Sequence, residues 1–72
     1  MTFEQKAEEL AALMRMRDMH RRAAGDPRET RDMRSLHARK ADDFDAEIKA
    51  APRDVYEAAM VIYAGPVTET DD

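Results

Sequence analysis

The sequence predicts an all-α protein: an antiparallel hairpin of two long helices, with a third, shorter apolar helix packed across it as a three-helix mini-bundle. Three observations carry that prediction. The composition is rich in Ala, Arg, Glu and Met, which lose little rotamer freedom in a helix, and too poor in Val and Ile for a sheet with a buried face. Glycine and proline stand only at positions 25, 27, 52, 65 and 66, so they separate long stretches without interrupting them. Within those stretches apolar residues recur at helical spacing.

The first helix is expected over residues 3–24. Thr2 followed by Gln5 forms a capping-box pattern. Glu4, Glu8 and Glu9 suit the positive end of the helix dipole, and Arg15, Arg17, Arg21 and Arg22 suit the negative end. Gly25 reads as the stop, in the left-handed conformation a C-cap favours. Two apolar stripes run along this helix. Phe3, Ala7, Leu10 and Met14 make one; Ala12, Met16, Met19 and Ala23 make the other. A helix of this kind changes the side it buries halfway along, or buries both sides in an oligomer.

The second helix is expected over residues 27–50. Asp26-Pro27-Arg28-Glu29 reads as its start, with Asp26 as N-cap, Pro27 at the first helical position and Glu29 completing the box. Its apolar stripe is Met33, Leu36, His37, Lys40, Ala41, Phe44, Ile48 and Ala51. Pro52 ends it, because the residue before a proline is pushed out of helical geometry. The third helix follows over residues 52–64 and stops at Gly65-Pro66. It places Val55, Ala58, Ala59 and Ile62 on one side and Tyr56, Met60 and Tyr63 on another, so it is apolar nearly all round. Residues 1–66 are read as one domain and 67–72 as a flexible acidic tail. No internal repeat is read.

Size bears on stability. A chain of 72 residues buries only about 60% of the surface its unfolded form exposes. Such chains usually draw on disulfides, a metal or a second subunit. With no cysteine, disulfides and thiolate metal sites are excluded, which leaves self-association or a partner. A homodimer is therefore expected. The residues assigned to the core or to a dimer contact are Leu10, Met14, Met33, Leu36, Phe44, Ile48, Val55, Ala59, Met60 and Ile62.

Charge is the most uneven feature. The net charge is −4, yet residues 15–40 hold nine Lys/Arg against four Asp/Glu. In a tight hairpin those residues gather at one end and the acidic residues 42–47 at the other. Like charges then lie beside like charges, and electrostatics does not help the two helices pair. A two-fold dimer setting the basic end of one subunit against the acidic end of the other resolves the conflict. A solvated helical face is the plainer reading of the same charges.

The residue types that carry chemistry are sparse. His20 and His37 are the only histidines. The helical di-metal pattern Glu-x-x-His needs an acid at 17 or 34, and both are Arg. His20 is expected to be exposed among arginines and His37 to sit at the edge of the apolar stripe. The acidic run at 42–47 lacks the glycine and ligand spacing of a calcium loop and reads as helix. Ser35 has no base at a spacing that would activate it. Neither an enzyme nor a metal or cofactor site is expected. The longest apolar run, 58–64, is far below the roughly 20 residues of a membrane span, and the acidic N-terminus does not resemble a secretory signal; no membrane contact and a cytoplasmic location follow as expectations.

The functional expectation is a small protein–protein interaction module, an adaptor or inhibitor of a larger partner of the kind phages and accessory elements encode. Its candidate partner-binding residues are Arg15, Met16, Arg17, Met19, Arg21, Arg22, Arg28, Arg31, Arg34, Tyr56 and Tyr63. Methionine suits an adaptable surface, and tyrosine is enriched in interface hot spots. A nucleic-acid-binding hairpin using the Arg-rich segment 15–40 is the second reading, weakened by interleaved acids and a pI near 5.1. A self-assembling structural helical protein is the third.

Overall fold

A computed structural model describes residues 2–65. They form three helices and no strand: α1 (Phe3–Ala24), α2 (Arg31–Ala50) and α3 (Arg53–Ala64). The tail read at 67–72 lies outside the described residues.

At its N-terminus α1 is held by the capping box. The Gln5 backbone N–H donates to Thr2 Oγ1 at 3.1 Å, and the Thr2 N–H donates back to Gln5 Oε1 at 2.9 Å. Its other end departs from the sequence reading. Gly25 terminates the helix at φ −98°, so the stop does not use the left-handed conformation. The turn is closed instead by Gly25 and Asp26 donating to carbonyls of the last helical turn.

A second correction concerns the start of α2. Asp26 to Glu29 is a hydrogen-bonded β-turn, with the Glu29 N–H donating to the Asp26 carbonyl at 3.1 Å. Asp26 Oδ1 accepts from the Arg28 N–H at 2.9 Å and Pro27 occupies the second turn position. Asp followed by Pro suits a type of turn as well as a helix start. Thr30 decides between them, because its hydroxyl accepts from the Met33 N–H at 3.2 Å and caps a helix that begins at Arg31.

α2 and α3 each pack on α1 and hardly touch each other. The central helix is therefore α1, although α3 is the one that is apolar nearly all round. One cluster forms the core: Leu10, Ala11 and Met14 from α1, Ile48 from α2, and Val55 and Ala59 from α3. Met14 and Ile48 are its largest fully buried side chains. Leu13, Ala51, Ile62 and Tyr63 pack around it.

The face that α2 buries is rotated from the expected stripe. Ala41 and Ile48 are buried, Arg34, His37, Phe44 and Asp45 are half-buried, and Lys40 is exposed. Met33 and Leu36, assigned from the sequence to the core or to a dimer contact, are each 40% exposed and lie outside the core cluster. Met60 of α3, with the same two alternatives, is likewise 38% exposed and outside that cluster. The cause is the open layout. α3 does not reach over the first half of α2, so no apolar surface stands opposite Met33 and Leu36.

Candidate interaction surface

α1 has two faces of opposite fate. The inner face, Ala7, Leu10, Ala11 and Met14, is buried under α2 and α3. The second stripe, a third to half a turn away, stays open: Ala12 is exposed, Met16 is 42% exposed and Met19 52%. Arg15 and Arg22 lie beside that stripe at helical spacing, and both are exposed. A shallow groove lined by Met19, Arg22, Ala23, Gly25, Asp26 and Arg28 continues the strip into the α1–α2 turn. An apolar strip edged with guanidinium groups thus runs along the outer side of α1.

Several of the candidate arginines are engaged within the fold. Arg17 is half-buried and sits where the three helices meet. Its Nε donates to Asp18 at 3.0 Å, its Nη1 lies 3.5 Å from Asp45 on α2, and its guanidinium carbon is 5.9 Å from the Tyr63 ring centre on α3. Arg21 reaches the same Asp45 at 3.8 Å. Lys49 completes that carboxylate's surroundings at 3.1 Å, and its hydrogen bond, then Arg21 and Arg17, hold the Asp45 carboxyl below the usual aspartate range. Opposite charges therefore do join α1 to α2, against the expectation that like faces like. Because the Gly25-to-Thr30 turn is long, the basic segment of α1 meets the acidic half of α2.

Arg15 donates through Nη2 to the Ile62 carbonyl at 3.3 Å, serving the C-terminal end of α3, whose last turn has no basic residue of its own. Arg28 is engaged by Asp26, whose carboxyl it holds low. Arg22 and Arg31 make no ion pair among the described residues. Arg34 is half-buried with its Nε enclosed and unpartnered, a situation that costs about 1–3 kcal/mol. Of the two tyrosines, Tyr56 is 38% exposed while Tyr63 is packed on the core. Arg17 and Tyr63 are thus engaged within the fold.

The histidines supply the feature that reading by residue type missed. His20 is half-buried, not exposed, and its Nδ1 lies 2.8 Å from His37 Nδ1. The rings are 5.1 Å apart at 31°, and His20 also stacks on Phe44 at 5.7 Å and 13°. A signal was present. Met-Arg-x-x-His occurs at 16–20 near the end of α1 and again at 33–37 near the start of α2, a short repeat that sets one histidine on each side of the intervening turn. No group of three or more metal-ligating side chains gathers among the described residues.

These features define a class, a three-helix protein organised on a central helix with one apolar face uncovered. No family model, curated protein or solved structure matches the chain. No helix among the described residues is long and apolar enough to cross a membrane.

Proposed function

We propose that this chain is a small non-enzymatic interaction module, an adaptor or inhibitor, that docks on an acidic surface of a larger protein through the outer strip of α1. The observation that carries the reading is the exposure of Met16 and Met19 on the far side of the helix that organises the core. Flexible thioethers between Arg15 and Arg22 suit a partner that offers an apolar groove with carboxylates at its rim.

The openness of the molecule supports the same reading. Its radius of gyration is 14.3 Å, against about 11 Å for a compact chain of this length. Its accessible surface is 5286 Å², where a compact protein of the same mass exposes about 4,500 Å². The surplus is surface that a partner can cover. That area also suits a homodimer, which belongs to the proposal. So does the antiparallel course of α1 and α2, which is supported by Arg17 meeting Asp45 while His20 meets His37.

Nucleic-acid binding is less well supported than the sequence suggested, since Arg17, Arg21 and Arg28 are held by Asp45 and Asp26. The deciding experiment is affinity capture from native lysate, with and without nuclease, using the wild type and a Met16→Glu, Met19→Glu variant. The expected result is a nuclease-resistant partner that the variant loses while keeping its helical circular dichroism. A nuclease-sensitive capture with a steep salt dependence would instead favour the nucleic-acid reading. Solution mass at low and high salt tests the dimer, and a monomer in both would remove it.

A further inference from the structure

The first half of α2 is weakly held. None of residues 31–40 is buried; only Arg34 and His37 are even half-buried. The buried residues of α2, Ala41 and Ile48, lie further along. The polar contact joining this segment to α1 is the 2.8 Å approach of His37 Nδ1 to His20 Nδ1, backed by Phe44 on the His20 ring. Two imidazole nitrogens at that distance make a hydrogen bond only when one carries a proton and the other offers its lone pair. A second proton removes the acceptor and sets two cations face to face.

We propose that the His20–His37 contact is an acid-sensitive latch: with at most one proton between the facing nitrogens it holds the first half of α2 on α1, and with two it releases that half. The charged surroundings offer little relief for a second proton. On α1 the nearest are Arg17 and Arg21, both engaged by Asp45, with Asp18 on Arg17. On α2, Arg34 and Lys40 flank His37 one turn either side, and Asp45 follows Phe44. In the turn, Asp26 is engaged by Arg28, and on α3 Tyr63 faces Arg17. Among the described residues no carboxylate accepts a hydrogen bond from either ring.

The direction of the effect follows from proton counting. A second proton on the facing nitrogens has no place in the closed contact but meets no such obstacle once His37 moves away from His20, so added protons favour the opened form. Release detaches the segment 31–40 from α1 and leaves the cluster around Met14 and Ile48 closed. The latch stands whether or not the α1 strip binds a partner.

The test is amide hydrogen exchange of the full chain at pH 7.5 and 5.5, corrected for intrinsic rates and with chelator present so that no metal bridges the rings. Protection of residues 31–40 is expected to fall on acidification, by up to about tenfold per pH unit, the limit for a one-proton difference. Protection of residues 41–50 is expected to hold. In His37→Asn the amide sits where Nδ1 was and can turn to donate or accept, so it pairs with His20 in either protonation state. That variant is expected to show no acid-induced loss. Equal wild-type protection of 31–40 at both pH values overturns the proposal, as does an equal loss in His37→Asn. The wild-type comparison decides alone should the variant fail to fold.

Discussion

Arg17 shows how one side chain changes meaning between sequence and structure. By position it continues the buried stripe of α1, and by type it belongs to a basic segment that suggests a binding surface. In the fold its half-buried guanidinium ties α2 and α3 to α1 through Asp45 and Tyr63. Arg17→Ala is therefore expected to cost about 1–3 kcal/mol in urea unfolding. Arg22→Ala, on the open side, should stay within about 0.5 kcal/mol. Equal costs would show that Arg17 is not a tie. The partner of this arginine sets a pH dependence. The Asp45 carboxyl is held below its usual value of 3.8, chiefly by Lys49. Its contribution is present above that value and is lost as pH falls through the lower folded one. Thermal melts between pH 5 and 2.5 should thus show a shallower acid decline for Asp45→Asn than for the wild type.

At the scale of elements, the helices differ in how openly their ends are written. The capping box of Thr2 and Gln5 needs only neighbours in sequence, and α1 begins where it predicts. The sequence reading starts α2 too early, at Pro27 instead of Arg31, because aspartate followed by proline serves two local structures. The observed cap predicts that Thr30→Ala destabilises by about 1 kcal/mol, while Pro27→Ala leaves the helical content of α2 unchanged by circular dichroism. Gly25 gives a sharper contrast. Its φ is negative, and an added Cβ would meet the Arg22 and Arg21 carbonyls at 3.8 and 3.9 Å, ordinary contact. Gly25→Ala is expected to stabilise by about 0.4–1 kcal/mol through the unfolded chain. Gly65→Ala, at φ 79°, should destabilise instead.

For the whole molecule, the consequence of a central α1 is that few residues carry the core. Met14 is fully buried where all three helices converge. Met14→Ala is expected to cost about 2–5 kcal/mol, a large part of the stability of a chain this short. Calorimetric unfolding at several protein concentrations would show both that loss and any contribution from self-association, since the midpoint of a dimer rises with concentration. The flat layout, 38 × 34 × 16 Å, leaves the second stripe of α1 uncovered. The two stripes were legible in the residues; which one the fold covers was not.

What the sequence by itself determined is whatever depends on neighbours along the chain. Three helices, their separation at glycines and prolines, the cap at Thr2, and the two-faced character of α1 all follow from local propensity and period. Tertiary structure decided the rest. It turned α2 so that Met33 and Leu36 face out, set Arg17 against Asp45, and brought His20 to His37. Those outcomes depend on the register and rotation of one helix against another. That register follows from the length of the Gly25-to-Thr30 turn and from where α3 can lie, and neither periodicity nor composition reports it.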